Sequence, residues 1–318
     1  MKIVKPSVTL WEQGDNKNNH IARCARVCYA SIKEDNCNKL VNNLIIDKHY
    51  SMLRHASYYF IIPIISIAYD KISEYLYSPY ISIRDNNSFI YMSTNGQFIL
   101  EQYVLYKEYL EKYQVHENVM RKTQTGMNVI RYSFNVITQI STSRELNRVS
   151  PNNIAEQSTR FCNYNRGRFE GECAICQPHW FNLNQQEIAY FKLDDRGQSY
   201  FKLDNGEFHH YNNTNIIINK YKDNPKVNIM FQRYMISTYN SCSEYISQVT
   251  DGMLPQDARG QLPIDLATEC VYTYSIDEWR NILDLRYYGT SGAPHPNAKI
   301  IASKIRDILI EQGYGFRN

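Results

Sequence analysis

The same five letters occur twice in the middle of this chain, as Tyr190-Phe-Lys-Leu-Asp194 and again as Tyr200-Phe-Lys-Leu-Asp204. Two copies are too few to stack into a repeat array. The second copy runs into Asp204-Asn205-Gly206, a tight-turn signal. The stretch 164–212 therefore reads as a hairpin or insertion at the surface of a larger unit. On either side of it the chain has helical periodicity. Residues 19–35 put Ala, Val and the thiols of Cys24 and Cys28 on one face, and 98–120 and 123–146 read as long amphipathic helices. The second of these carries Met127, Ile130, Phe134, Ile137 and Ile140 at spacings of three or four. Residues 57–68, SYYFIIPIISIA, are rich in β-formers and read as a strand. Beyond the repeat, helices are expected at 225–252, 256–272, 275–287 and 295–312. No Pro/Gly/Ser linker interrupts the sequence, so residues 1–318 read as one α+β domain with an insertion at about 164–240.

Composition narrows the class of function. The chain has 318 residues, 43% hydrophobic and 21% charged, as expected for a globular protein with a sizeable core. A net charge of +3 and the lack of a basic stripe argue against nucleic acid as a partner. The longest apolar run, Tyr58 to Ala68, is short and broken by Pro63, and the N-terminus has no secretory apolar region. No membrane partner is expected. The 8 Cys are scattered and read as reduced thiols of a cytoplasmic protein. The 27 Tyr accompany many Ile, Asn and Lys, all with AT-rich codons; an AT-rich bacterial or phage genome explains them better than a base-stacking surface.

The most informative stretch is Ser143-Arg-Glu-Leu-Asn-Arg-Val-Ser-Pro-Asn-Asn-Ile-Ala-Glu-Gln-Ser-Thr-Arg-Phe161. It ends a helix and enters a polar loop with Arg144, Arg148, Glu156, Ser158 and Arg160. Arginine supplies planar donors for phosphate and serine adds a hydroxyl. If the piece is extended, Glu156, Ser158 and Arg160 point the same way. On pattern alone the stretch is either an anion site or a solvated charged loop.

Motif text decides between these. Arg148-Val149-Ser150, seven residues, then Ser158-Thr-Arg160-Phe161 resembles the signature of the flavin-dependent thymidylate synthases, which is Arg-His-Arg, seven residues, then Ser-x-Arg-Tyr. Ala22-Arg-Cys-Ala-Arg-Val-Cys-Tyr-Ala-Ser31 is similar to that family's Ala-Arg-x-Cys-Tyr-x-Ser stretch. His49-Tyr-Ser51-Met-Leu-Arg54-His55 is similar to its His-x-Ser-x-x-Glu-His. Pro255-Gln-Asp-Ala-Arg259, Leu262-Pro263, Thr268, Thr273, Trp279 and Leu285-Arg286 follow its C-terminal pattern. The matches stand in order over roughly 20–310, with 164–240 unmatched.

The resemblance implies an α+β fold of mixed helices with an antiparallel sheet and a homotetramer. It implies transfer of a one-carbon unit from methylenetetrahydrofolate to C5 of dUMP, giving dTMP, with FAD as cofactor and NADPH as reductant. Arg148, Glu156, Ser158, Arg160, Arg259 and Arg286 would bind the nucleotide. Arg286 and Ser158 are the candidate catalytic residues, Arg286 to stabilise charge on the uracil oxygens. His49, Ser51, Arg54, Val149, Ser150, Ser275, Asn281 and Leu285 would line the flavin. Four of those flavin-side positions depart from the family. Val149-Ser150 replaces His-Arg, Arg54 replaces Glu, and Ser275 replaces Asn. A C5 methylase or hydroxymethylase with another donor or substrate, or a non-catalytic nucleotide-binding paralogue, therefore stays open.

Other features carry less. Cys173-x-x-Cys176 with His179 has zinc spacing but no second pair nearby except Cys162, and no metal is expected. No P-loop or dinucleotide fingerprint is present. Arg166 and Arg168, beyond the signature, are expected to be bystanders.

Overall fold

The computed structural model describes residues 1–31, 36–150, 153–181, 188–203, 206, 208–210, 221 and 223–317. Helices mix with three largely antiparallel sheets, so the fold class is α+β. The central sheet has four antiparallel strands in the order Ser7–Trp11, Arg131–Gln139, Ala267–Ser275, Ile154–Glu156. On one side Phe134, Tyr272 and Tyr274 pack with Trp279 of the helix Ile276–Leu283 and with Ile301 and Ile305 of the helix Pro296–Glu311. The rings of Phe134 and Trp279 meet edge to face at 4.9 Å. The indole N–H of Trp279 donates to the Tyr132 carbonyl at 3.2 Å. Emptying this position with Trp279→Ala costs about 3–5 kcal/mol. Cys24 and Val27 of the helix Lys17–Tyr29 pack on Val271 and Ala155 of the same sheet.

That double coverage explains the two largest differences from the sequence expectation. Residues 123–146 are not one helix but a short turn of helix at Gln124–Met127, the strand Arg131–Gln139, and the helix Ile140–Asn147. Residues 256–272 are a helical turn, Pro255–Ala258, a tighter turn at Arg259–Gln261, and the strand Ala267–Ser275. A strand buried on both faces shows no clean alternation. Its β-branched and aromatic residues were the better signal.

The second sheet has the order Ser82–Asp85, Phe89–Asn95, Ser57–Pro63, Gln114–Val115 and a core of its own around Phe60, Ile62, Met92 and Phe98. The predicted strand 57–68 stops at Pro63, and Ser66 then caps the helix Ile67–Ser73. The predicted helix 98–120 is broken into short turns around the strand Gln114–Val115. The repeat forms the hairpin Ile188–Leu193 with Ser199–Leu203, and the two copies face each other with Phe191 opposite Phe201. Both rings are fully buried, 5.0 Å apart, against Phe231 and Met235 of the helix Val227–Thr250. In the turn signal Asp204-Asn205-Gly206, the first two residues lie outside the described ones. Among the described residues no helix is long and apolar enough to cross a membrane.

Candidate active site

The strand Ile154–Glu156 lies at the edge of the central sheet, beside Tyr272, Val271 and Cys270. The helix Ile140–Asn147 continues directly from the strand Arg131–Gln139, which lies one strand further in, and it projects two side chains at i and i+4 onto Glu156. Ser143 Oγ donates to Glu156 Oε1 at 2.6 Å and Asn147 Nδ2 to Oε2 at 3.2 Å. Thr268 Oγ1 adds a third donor at 3.3 Å, and Tyr272 OH donates to Asn147 Oδ1 at 3.0 Å. Glu156 is thus held by neutral donors alone among the described residues. Three hydrogen bonds fix a carboxylate that no cation of the described residues pairs with.

Arg286 reaches the same helix from the other end of the sequence. Its Nε and Nη2 donate to the Glu145 carbonyl at 3.1 and 2.7 Å. It sits in the π-helical turn Asp284–Tyr288 that follows the helix Ile276–Leu283; such turns recur at functional sites. A guanidinium has five N–H donors, so Arg286 is anchored with donors to spare. Arg148 closes the helix Ile140–Asn147, is exposed, and has no side-chain partner among the described residues.

The strand ends at Glu156, so Ser158 and Arg160 do not share its face as expected from simple alternation. The Ser158 N–H donates to the Cys28 carbonyl at 3.0 Å, and the chain turns. Ser158 Oγ accepts from the Arg160 N–H at 3.2 Å. The Arg160 guanidinium lies over the Phe161 ring and donates through Nε to Gln256 Oε1 at 3.3 Å. Gln256 precedes the turn that carries exposed Arg259. The six nucleotide-side candidates thus form two groups within one chain: Arg148, Glu156 and Arg286 around the helix end, and Ser158, Arg160 and Arg259 around the turn. Among the described residues none of the four arginines is in an ion pair. Arg84, Arg121, Arg168, Arg280, Arg306 and Arg317 all are.

The flavin-side candidates are arranged differently. Arg54 donates through Nε to Gln97 Oε1 at 2.6 Å and through Nη2 to Tyr80 OH at 3.2 Å. Ser275 caps the helix Ile276–Leu283 in a reciprocal box with Glu278. Ser150 Oγ donates to the other oxygen of that carboxylate at 3.2 Å. The replaced positions Ser150 and Ser275 therefore converge on Glu278. Val149 packs against the main core and Leu285 is half-buried. His49, Ser51 and Asn281 are exposed with no side-chain partner among the described residues. In the signature loop, Asn153 is 3% exposed, takes a left-handed backbone (φ 60°), and leaves its Oδ1 without a hydrogen-bond partner. A buried acceptor left over in this way suits a donor from a bound group.

Beneath this side runs a buried polar chain. His20 Nε2 lies 3.0 Å from Ser133 Oγ, Ser133 Oγ 2.7 Å from Thr273 Oγ1, and Thr273 Oγ1 2.8 Å from His55 Nδ1. Burial lowers the pKa of His20 to about 4 and lowers that of His55 well below the ordinary imidazole range.

Several of these residues were not singled out in the sequence. Ser143 and Asn147 had a readable signal, the i, i+4 spacing on a helix that ends at the signature. Glu278 had another, the Ser275-x-x-Glu278 capping box. Arg168 was expected to be a bystander, yet its Nη2 joins Gln157 Oε1 and Glu269 Oε2, each at 2.9 Å, inside the signature's own surroundings.

Comparison with known proteins follows from this geometry. Among the solved structures that resemble the chain are two of a UMP/dUMP methylase, PolB, from Streptomyces cacaoi. The complex with 5-Br dUMP has 13% identity and a TM-score of 0.42, covering 98% of this chain and 93% of that one. The complex with 5-Br UMP has 14% identity and a TM-score of 0.42, covering 98% and 92%. No curated protein sequence matches significantly. The family model described as Thy1, thymidylate synthase complementing protein, matches residues 91–312, which include the signature, the Glu156 group and Arg286. The chain belongs to this family, that of the flavin-dependent thymidylate synthases.

Proposed function

We propose that this protein transfers a one-carbon unit to C5 of a uracil nucleotide, dUMP, to give dTMP. The carrying observation is that Glu156, fixed by three neutral donors, is reached from the helix Ile140–Asn147, and that Arg148 and Arg286 sit at this same helix with no carboxylate partner among the described residues. Arginines kept out of ion pairs beside a fixed carboxylate suit an anionic ligand. Arg148, Arg160 and Arg259 take the phosphate, with the Ser158 hydroxyl beside them. Glu156 accepts from a nucleotide N–H or O–H. Arg286, anchored on the Glu145 carbonyl, holds its remaining donors toward the uracil oxygens and stabilises charge there as the ring becomes electron-rich. Because the guanidinium is already fixed, little reorganisation accompanies that step.

FAD is the proposed cofactor, held by His49, Ser51, Asn281 and the free Asn153 amide oxygen. When bound, it supplies the reducing step, with NADPH as the electron source and methylenetetrahydrofolate as the carbon donor. The two nucleotide-side groups are partly exposed half-sets, and we propose that a homotetramer, in the cytoplasm, joins them across subunits. Light scattering that reports a monomer at micromolar concentration would count against this.

A second reading has its own support: Glu278 already occupies the hydroxyls of Ser150 and Ser275, which favours a paralogue that binds nucleotide with an altered donor or none. Mass spectrometry of dUMP incubated with methylenetetrahydrofolate, NADPH and FAD decides. A methylated nucleotide supports the first reading, a hydroxymethylated one the altered enzyme, and unchanged dUMP with a colourless protein the non-catalytic paralogue.

A further inference from the structure

Glu156 and Arg286 come from distant parts of the sequence, yet one helix holds both. Ile140–Asn147 turns Ser143 and Asn147 toward the Glu156 carboxylate and gives the Glu145 carbonyl to the Arg286 guanidinium. Of these groups Asn147 has the least obvious reason to be polar. An amide can present either its two donors or its acceptor. Here both ends are committed. An ionised carboxylate only accepts, so Nδ2 must face Glu156 Oε2, at 3.2 Å. Behind it the Tyr272 hydroxyl, 1% exposed, donates to Oδ1 at 3.0 Å and stops the amide turning over.

The bonds around Glu156 can be counted. A carboxylate has about four lone-pair sites. Ser143 and Thr268 take two on Oε1, and Asn147 takes one on Oε2. One acceptor position on Oε2 is left, on a residue that is only half-buried. The titratable neighbours bring no charge at neutral pH. Burial pushes the Cys28 thiol of the helix Lys17–Tyr29 up to about 11. It pushes Cys270 and Tyr272 of the strand Ala267–Ser275 well above their ordinary values. The Cys270 thiol lies beside the carboxylate, but a thiol is a weak donor. Arg144, Glu145 and Arg148, the charged residues of the helix and its end, make no ion pair with Glu156 among the described residues.

We propose that Asn147 is a positioning residue of the nucleotide site: locked by Tyr272, it turns Glu156 so that the last lone pair of Oε2 takes a single donor of the bound nucleotide. This rests on the reading of the site as one for dUMP. At pH 8 dUMP has two such donors, the uracil N3–H and the ribose 3′-hydroxyl, and one lone pair serves one of them.

Asn147→Asp tests this, because it keeps the shape and makes the donor depend on a proton. Two carboxylates in contact share one proton, and their second ionisation is raised. While the pair keeps that proton, the new carboxylic acid donates to Glu156 as the amide does. Once the proton is lost, the two charges repel and Glu156 leaves its position. Calorimetric Kd values for dUMP are taken as variant over wild type at each pH, so that the ionisation of the phosphate cancels. The ratio should be near one at pH 5.5 and about tenfold at pH 8. N3-methyl-dUMP and 2′,3′-dideoxyuridine monophosphate identify the donor. At pH 8 the ratio should be near one for the analogue that lacks it and near tenfold for the other. Tyr272→Phe unlocks the amide without adding a titrating group. It should weaken dUMP severalfold at both pH values and show the same contrast between analogues, so the test stands even if Asn147→Asp fails to fold. A ratio for Asn147→Asp that is the same at both pH values, analogues that behave alike, or no loss in either variant would overturn the positioning role. Wild-type protein that binds no dUMP would overturn the underlying reading with it.

Discussion

The two sides of the candidate site differ in what their polar residues already hold. On the nucleotide side the family's residues are retained, and their charges are left over. Arg148 has no side-chain partner, Arg160 has an amide, Arg286 has a carbonyl, and Glu156 has only neutral donors. On the flavin side four positions have changed; Val149 packs on the main core, and the three polar newcomers are satisfied within the chain. Arg54 donates to Gln97 and Tyr80, and Ser150 and Ser275 share Glu278. Leaving charged groups unpaired forgoes stability that a neighbour could supply, so a surface is expected to keep such groups for a ligand. A surface that closes its own hydrogen bonds has less to offer one. The comparison teaches that the substitutions do not simply delete contacts. The polar residues now at these positions form an internal network.

If this contrast is right, the largest loss comes from Arg286. Arg286→Ala removes the anchored guanidinium proposed to meet charge that develops only during reaction. Turnover should fall by about 10²–10³-fold, as when one donor to a developing oxyanion is deleted, with dUMP affinity changed far less. Steady-state kinetics with a separate calorimetric Kd tests it. A loss confined to affinity would assign Arg286 to ground-state binding instead.

Arg160→Ala should act the other way. It deletes a charge-assisted bond to phosphate, a loss of about 1.5–3 kcal/mol, or roughly tenfold to a hundredfold in dUMP affinity. Arg166→Ala is the control, since Arg166 is exposed and its side chain makes no contact among the described residues. Arg168 cannot serve as one, because it ties Gln157 to Glu269. Equal, small effects in Arg160→Ala and Arg166→Ala, measured by calorimetry, would make the signature a solvated loop.

How much of this was legible in the sequence depends on where each residue's partners come from. The helices Val227–Thr250 and Pro296–Glu311 were readable because each buries one stripe and leaves another in water. The strands Arg131–Gln139 and Ala267–Ser275 were not, because burial on both faces erases the period of two, and chance apolar spacings then imitate a helix. The signature loop was legible as text, since Arg148 to Arg160 are local. That Glu278 ties Ser150 to Ser275, or that Arg131 holds the Arg54 carbonyl, depends on contacts between segments 128 and 77 residues apart, which no local pattern records.

The polar chain under the flavin side gives a pH test. His20 is 2% exposed and His55 fully buried, and burial lowers both pKa values in the folded state, that of His20 to about 4. At pH 7 both are neutral in the folded and unfolded states, so their contribution to stability is fully present. As pH falls below about 6.5 the unfolded chain takes up protons that the folded chain refuses, and stability drops by about 1.4 kcal/mol per unit for each such group. For His20 alone the loss is about 2 kcal/mol by pH 5. Urea unfolding at pH 7 and pH 5 measures it, with His20→Asn expected to flatten the slope. A slope unchanged in that variant would mean that His20 does not drive it.

The smallest effect tests the contrast most directly, because it concerns the carboxylate that closes the flavin side. Glu278 accepts from the Ser275 N–H and hydroxyl at 2.9 and 3.0 Å and from the Ser150 hydroxyl at 3.2 Å. Glu278→Ala removes half of a capping box, which costs about 1 kcal/mol and shifts Tm by a few degrees. It leaves the Arg148, Glu156 and Arg286 group untouched, so dUMP affinity should stay within about twofold. It also frees both hydroxyls and removes a negative charge from the positions that the family resemblance assigns to the flavin. A pair of unit charges near a protein surface interacts by about 1–4 kcal/mol at contact, less when screened. FAD affinity followed by absorbance should therefore rise by about fivefold. If FAD binding falls instead, Glu278 is part of the flavin site and the two sides are alike. If dUMP affinity falls with it, the two sides are one site within the chain, and the contrast between an open half and a self-satisfied half fails.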